Sequence, residues 1–471
     1  MDILESAQRE VAQHSAALKK ELSLPDMVFT QVLYITGLGW LGAAAKLGSS
    51  HFFFWLPAVL LFYIPSAIVV IHLAQEMPLE GGLYQWAKLR FSEMTGFMVA
   101  WNMWLYSVLL ISEMGVITAN NVAYALGMNW LAESKPVIVS VSTFLAAGLI
   151  LIAVRGLALG KWVHNVGSLT LITLFLLMLF FAIPRWIHGS ALVAPIALSF
   201  PAVSLLNLNI LGKMAFGAFS GSDSITVFSG ELRDPQTARS IRNSVWLAAP
   251  IVTAIFSLGT ACVLAFVRPE NLDLVSPVAQ NLSLGAGGMG IAGPVIPLVM
   301  LMMLISRIGT GSIVFNATSR FPMVAAWDHL LPEWFTRLHP RYKTPIGSIL
   351  FVGILILIFA VLANVGVGSQ ESYQLLNNGS GISYALTYLV MFAIPLIARG
   401  EKPSWSVRFA ALSGFGMTLL YVVLSVFPII DVQNGAAFTA KISAVIIGSN
   451  ALGAMFFWNA KRRRVAQRTR S

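Results

Sequence analysis

The sequence predicts an all-α integral membrane protein. Hydrophobic residues make up 57% of its 471 positions and charged residues only 11%, whereas an average soluble domain carries about 25% charged residues. Twelve apolar stretches are long enough for membrane helices, each of which needs about 20 residues. A soluble globular enzyme is therefore close to excluded. The net charge of +10 lies at the ends of apolar stretches, so it indicates no nucleic-acid groove.

The twelve predicted spans, numbered in chain order, are joined by short connections. Spans 3 and 8 are long and must tilt or extend beyond the bilayer. The longest connections, 326–345 and 268–291, leave no room for a soluble catalytic domain. The predicted spans are 27–47, 51–75, 94–126, 136–154, 160–184, 204–230, 240–267, 292–325, 346–365, 374–398, 406–430 and 438–460.

The segments that flank the spans are charged. Residues 1–26 show no cleavage site, so we expect no cleavable signal peptide. The stretch from Ile3 to Leu22 fits either a short amphipathic helix on the membrane surface or a solvated tail. The basic tail 461–471 fits a stop signal near anionic lipid.

The distribution of Lys and Arg predicts that both termini are cytoplasmic. With the N-terminus inside, 23 of the 30 Lys and Arg residues fall on inner segments and 4 on outer ones. Cytoplasmic segments of membrane proteins carry such an excess. We therefore expect a multi-pass protein of the inner or plasma membrane, with lipid as a partner.

Few ionisable residues lie inside the spans, where one charge costs at least about 2.5 kcal/mol. Glu113 lies in span 3, Asp223 in span 6 and Arg307 in span 8. Glu113 and Arg307 either pair with each other, pair with Asp223, or contact a substrate. Lys46 and Lys213 are nearer the outer ends, and we expect them to snorkel.

Glycines interrupt spans 1 and 6, at 37–42 and 217–221. They indicate either close helix packing through small residues or two helices that unwind in mid-membrane. Spans 1 and 6 would open two five-helix units, which is the spacing that an inverted repeat requires. An unwound turn exposes backbone N–H groups that suit a carboxylate.

Four stretches resemble the amino acid–polyamine–organocation transporters, and the resemblance covers about 27–460. It implies a leucine-transporter-type fold, with two inverted five-helix repeats at 27–184 and 204–398 and with helices 11 and 12, at 406–460, outside them. The four stretches are Gly37-Leu38-Gly39-Trp40; Pro78 to Trp86 (PLEGGLYQW), followed by Gly96-Phe97 and Trp101; Phe219-Ser220-Gly221-Ser222-Asp223 with Gly230-Glu231 and Asp234-Pro235; and Ser319-Arg320 with Leu331-Pro332 and Thr344-Pro345.

The resemblance also implies a binding site. Backbone groups of 37–39 would receive a substrate carboxylate, the segment around Asp223 would receive an amino group, and an aromatic residue would act as a gate. Glu113, Arg307 and Glu231 are candidates for coupling or gating. Glu231 and Arg320, at inner helix ends, hold an inner gate or are solvated charges. The candidate substrate-binding residues are Gly37, Leu38, Gly39, Trp40, Phe219, Ser222 and Asp223.

Three departures from the family pattern are informative. Asp223 stands where many members have Glu, and its neighbourhood resembles the polyamine-uptake branch. Span 5 lacks the lysine that replaces sodium in some relatives. Arg307 in span 8 is unusual, and the resemblance implies no role for it. His164 in span 5 suits the headgroup level, and Trp101 and Trp104 line the site or, more commonly for membrane aromatics, pack against neighbours or anchor the interface.

These features predict a secondary active transporter of amino acids or related amines that is proton-coupled or an exchanger, with a polyamine uptake permease as the alternative. We expect no enzyme activity, cofactor or metal, because the sequence lacks the P-loop, His-Glu-x-x-His and Gly-x-Ser-x-Gly motifs and has one cysteine. A channel or sensor is less well supported, since no soluble output domain is present.

Overall fold

A computed structural model describes residues 20–193, 204–234, 236–327, 329–362, 369–397, 403–429 and 434–468. This part of the chain is helical, and its two β-bridges are isolated. The helices are α1 (Leu24–Ile35), α2 (Gly39–Ala45), α3 (Gly48–Glu76), α4 (Leu83–Arg90), α5 (Glu93–Leu126), α6 (Lys135–Arg155), α7 (Leu157–Ile187), α8 (Leu205–Gly212), α9 (Thr237–Phe266), α10 (Pro277–Gly288), α11 (Ala292–Thr318), α12 (Arg320–Trp327), α13 (Ile346–Leu362), α14 (Ser369–Ile397), α15 (Trp405–Leu424) and α16 (Gly435–Arg468), with a short helix at Trp130–Glu133.

Nine of the described helices are long and apolar enough to cross a membrane, or ten if the bent pair α1 and α2 forms one span. The all-helical membrane class is therefore as predicted. The count of twelve stays a prediction, because α8 is interrupted after Gly212 and the apolar part of α13, Ile346–Val361, is short. The long predicted span 3 is the 34-residue α5.

The centre of the bundle forms where α14 packs along α5 and α7 packs along α11. Gly167 on α7 and Gly309 on α11 allow their backbones to meet, since a Cβ on either would lie 3.1 Å from the other's Cα. In contrast, only 17% of the most apolar stretch of α16 is buried inside the structure. The core therefore lies between α5, α7, α11 and α14, with α16 at the periphery.

Two connections that the sequence assigned to loops contain helices. The connection at 268–291 holds α10, where a Cβ on Gly285 would lie 2.8 Å from the ring of Phe181. The motif at 78–86 turns through Gly81 and Gly82, with φ of 89° and 44°, and then forms α4. A Cβ on Gly82 would lie 3.2 Å from a backbone atom of Thr226, so glycine is required there for both backbone angle and space.

The N-terminal tail is attached to the bundle where the described chain begins. The backbone N–H groups of Glu21 and Leu22 donate to the carbonyl of Glu231 at 2.9 and 3.2 Å, and Arg233 N–H donates to the carbonyl of Leu22 at 3.0 Å. The rest of the predicted amphipathic stretch, residues 3–19, lies outside the described residues. At the other end, α16 continues through much of the predicted basic tail.

Candidate functional site

The first predicted span is interrupted between α1 and α2, whose axes differ by 48°. The helical bonding ends at Thr36, whose N–H donates to the carbonyl of Val32 at 3.0 Å, and α2 begins at Gly39. In the described part of the chain, the N–H groups of Leu38 and Gly39 donate to no backbone carbonyl. The start of α2 therefore presents the free N–H groups that any helix leaves at its N-terminus.

The sixth predicted span is also interrupted. After α8 the backbone widens into a π turn, Lys213–Ala218, and ordinary α-helix does not resume before the 3₁₀ segment Ser224–Glu231. Between them Gly221 has φ of 121°, a conformation that favours glycine. Its N–H donates to the hydroxyl of Tyr388 on α14 at 2.8 Å, so the break is fixed from the side.

The two interruptions lie against each other through aromatic rings. A Cβ on Gly221 would lie 2.5 Å from the ring of Tyr34, and one on Gly217 would lie 2.6 Å from the ring of Trp40. A Cβ on Gly37 would also meet the Trp40 ring, at 2.9 Å. Small residues are therefore needed on both sides of Trp40.

A cavity of about 90 Å³ opens beside these interruptions. Aromatic rings from α1, α5 and α14 form much of its wall, and two opposite charges face it. Its lining residues are Tyr34, Ile35, Gly37, Gly39, Trp40, Tyr106, Leu110, Ile111, Glu113, Met114, Phe216, Gly217, Ser220, Arg307, Thr310, Gly311, Tyr373, Asn377, Ser380, Gly381 and Tyr384.

Glu113 and Arg307, which we call the central charge pair, face this cavity from α5 and α11. The Glu113 side chain is buried and its Oε2 has no hydrogen-bond partner; Arg307 is half-buried. Among the described residues, neither group forms a hydrogen bond or an ion pair with an N–O distance of 4.0 Å or less. The two charges therefore share a cavity without closing on each other.

Asp223 does not line the cavity. It is fully buried, and its Oδ1 accepts hydrogen bonds from the hydroxyls of Tyr384 at 2.5 Å and Tyr388 at 2.6 Å. Tyr384, by contrast, does line the cavity and stacks on Tyr106 with ring centroids 4.4 Å apart. Asp223 therefore contacts Tyr384, a residue of the cavity wall, without lining the cavity itself.

Other predicted substrate-binding residues also lie away from the cavity wall. The Phe219 ring is buried and stacks on Tyr63 with centroids 4.8 Å apart. The Ser222 hydroxyl is 2.9 Å from that of Ser66. Leu38 does not line the cavity either. Of the seven candidates, Gly37, Gly39 and Trp40 are brought together at it.

Glu231 and Arg320 form a second charged group with Glu80, which we call the inner charge cluster. Arg320 Nε donates to Glu231 Oε1 at 2.7 Å and lies 3.7 Å from Glu80 Oε1, and Nη1 donates to the carbonyl of Asn316 at 2.6 Å. The three side chains are at most 7% exposed. The alternative that Glu231 and Arg320 are solvated is therefore wrong.

One more expectation from the sequence is wrong. Lys213 does not snorkel, because its Nζ is buried and donates to Asn378 Oδ1 at 2.8 Å. Lys46 Nζ reaches the carbonyl of Ile429 at 3.1 Å. His164 is buried between α7 and α11, with Nε2 3.2 Å from the Ser312 hydroxyl.

Sequence reasoning missed the polar face of α14 that lines the cavity. The residues of this face recur every three or four positions, which is the spacing of one helix face. Polar residues at this spacing within an apolar span could have predicted the face from the sequence. Trp101 and Trp104, also considered for the site, lie in a different groove beside α13 and α16. The missed face consists of Tyr373, Asn377, Ser380 and Tyr384.

The sequence profile of the amino acid permease family matches residues 22–452. The chain belongs to this family. The permease is 26% identical to an uncharacterized transporter of Legionella pneumophila over 82% of each chain. It is 18% identical to a probable agmatine/putrescine antiporter, AguD, of Lactococcus lactis, over 90% of this chain and 88% of the relative.

A solved structure shares the fold of the permease. The crystal structure of MhsT in complex with L-phenylalanine aligns with a TM-score of 0.59 over 86% of this chain and 98% of MhsT. Sequence identity in this alignment is 13%, so the likeness extends to the fold alone. The protein is therefore a multi-pass membrane transporter of this fold.

Proposed function

We propose that this permease is a secondary active transporter that moves amino acids or related amines by alternating access. The observation that carries the proposal is the pair of free N–H groups at the start of α2, beside a cavity lined by Gly39. A helix N-terminus favours an anion, and the substrate carboxylate supplies one. The permease family membership supports transport as the activity.

The proposed architecture has twelve spans, with two inverted five-helix repeats and both termini in the cytoplasm. The excess of Lys and Arg on one set of connections supports this orientation. In this arrangement the inner charge cluster lies at the cytoplasmic end of the substrate path. We propose that it closes that end and separates when the permease opens inward.

Uptake into liposomes containing the purified permease tests the proposal. We expect uptake of at least one member of a panel of radiolabelled amino acids and polyamines. Gly39→Leu should abolish it, because a Cβ at Gly39 already lies 2.8 Å from the Tyr373 hydroxyl and a larger side chain would cover the free N–H groups. Gly416→Leu, at an exposed glycine of α15 with nothing within 4 Å, is the matched control. Normal uptake by Gly39→Leu would show that α2 is not the carboxylate site.

Polyamine uptake is the second candidate function. The similarity to AguD of Lactococcus lactis favours it, and Glu113 supplies one anionic group that an amine would bind. The same panel distinguishes the two functions, because putrescine and agmatine would be taken up in preference to amino acids.

A further inference from the structure

We infer that Glu113 and Arg307 act together as a charge filter, which admits a molecule with both an ammonium and a carboxylate group and rejects its decarboxylated amine. The inference rests on the proposed function, because it needs the central cavity to be the transport site. It deepens that function by assigning Glu113 and Arg307 as the residues that determine which pattern of substrate charges is accepted.

The first step is the open state of the central charge pair. Leaving an ionised group buried without a partner is costly, and in this protein the inner charge cluster shows how Glu and Arg side chains close when they can. Glu113 is buried with an unpartnered Oε2, and Arg307 faces the same cavity unpaired within the described chain. The arrangement is completed by a ligand that brings the two missing charges.

The second step is the sign and position of those charges. Glu113 requires a cation, which the substrate ammonium supplies. Arg307 requires an anion, and a guanidinium binds a carboxylate through two parallel hydrogen bonds. A zwitterion therefore satisfies both sides at once.

The third step is rejection. A decarboxylated amine leaves Arg307 without an anion, and a diamine also brings a second positive charge that Glu113 does not neutralise. That second charge shares a cavity of about 90 Å³ with Arg307, where like charges repel more strongly than in bulk water. An arginine stays protonated across the physiological pH range, so the repulsion does not relax. Selectivity thus comes from an unfavourable contact with the wrong ligand as much as from a favourable contact with the right one.

The test measures uptake of three matched pairs by the permease in liposomes: arginine and agmatine, ornithine and putrescine, and phenylalanine and phenethylamine. In the wild type we expect uptake of at least one amino acid and at most trace uptake of its amine. Arg307→Gln should raise the ratio of amine to amino acid uptake by about 10- to 100-fold, the loss expected for a hydrogen bond to a charged group. Arg307→Lys, which keeps the charge, should leave the ratio within a few-fold of the wild type.

Each outcome decides between the two proposals. Equal or preferential uptake of the amines by the wild type would overturn the filter and leave the permease function standing. An unchanged ratio in Arg307→Gln would also overturn it. Uptake of none of the six compounds would overturn the proposed function and the filter with it. If Arg307→Gln does not fold, judged by gel filtration, Glu113→Gln replaces it and should lose amino acid uptake by a similar factor.

Discussion

The permease contains two groups of oppositely charged side chains, each built from Glu and Arg. The two groups differ in whether their charges contact each other. In the inner charge cluster, Arg320 contacts Glu231 and a backbone carbonyl and lies near Glu80. In the central charge pair, Arg307 and Glu113 face one cavity and stay apart. The two arginines lie on consecutive helices, α11 and α12. The difference teaches that pairing here follows the available space: the closed cluster holds the bundle together, and the open pair is available to a ligand.

Breaking the inner charge cluster should have the largest effect. Arg320→Ala removes the cation that contacts Glu231 and lies near Glu80, and removing one partner of a buried pair costs about 3–5 kcal/mol of folding free energy. Thermal unfolding in detergent measures the loss. Arg242→Ala, at an exposed arginine of α9, should change stability by less than about 0.5 kcal/mol. Equal stability of the two variants would contradict the importance of the cluster.

Breaking the central charge pair should affect transport and leave stability nearly unchanged. Arg307→Ala removes no ion pair among the described residues, so its unfolding temperature should stay close to that of the wild type. Amino acid uptake should fall about tenfold or more, because a hydrogen bond to a charged group is lost. Uptake assays and thermal unfolding on the same preparation separate the two effects.

The double variant Arg307→Met with Glu113→Met distinguishes a ligand-binding pair from a structural one. If Arg307 only neutralises Glu113, removal of both charges should restore much of the uptake. We expect uptake to stay low, because both ligand contacts are then lost.

Asp223→Asn should have a smaller and less selective effect. The sequence alone predicts that Asp223 receives the substrate amine, so that only amine-bearing ligands lose affinity. Its hydrogen bonds to Tyr384 and Tyr388 instead favour a positioning role. We therefore expect binding of ligands with and without an amine to fall alike, by about 3- to 10-fold, and Tyr384→Phe to do the same. Isothermal titration with an amino acid and its deaminated analogue measures this, and selective loss of the amino acid would restore the direct role.

The smallest effect should follow the replacement of sodium by choline. Arg307 supplies a permanent positive charge at the central cavity, and a proton or an exchanged substrate would carry the coupling, with Glu113 or Asp223 as the group that takes up the proton. We expect uptake to change less than about twofold. Strict dependence of uptake on sodium would contradict this coupling scheme.

The sequence predicts the membrane class and many helix positions well, because long apolar runs allow few alternatives in lipid. It also identifies Gly37 and Gly39, which line the cavity. It is less informative where the contacts of a residue depend on side chains that a helix distant in sequence places beside it. Lys213 is an example, because its Nζ donates to Asn378 on α14 instead of reaching the membrane surface. The substrate-binding role of Asp223 stays a prediction, and its hydrogen bonds to Tyr384 and Tyr388 could not be foreseen from the sequence.

The polar face of α14 shows a different kind of failure. Tyr373 and Asn377 follow helical spacing and could have been recognised from the sequence, but no single member carries a charge. A search for ionisable groups therefore passes over these residues, although they form part of the neutral wall of the cavity.

The hydrogen bonds that attach the N-terminal tail offer a way to follow the transport cycle. The backbone N–H groups of Glu21, Leu22 and Arg233 form the hydrogen bonds that join the tail to the segment at Glu231 and Arg233. Amide hydrogens exchange with solvent only when such bonds open. If the cytoplasmic end opens as proposed, deuterium incorporation at these positions should rise and fall with the population of the inward-open state. A reporter protein fused directly before Glu21 would itself disturb the equilibrium between the closed and inward-open states.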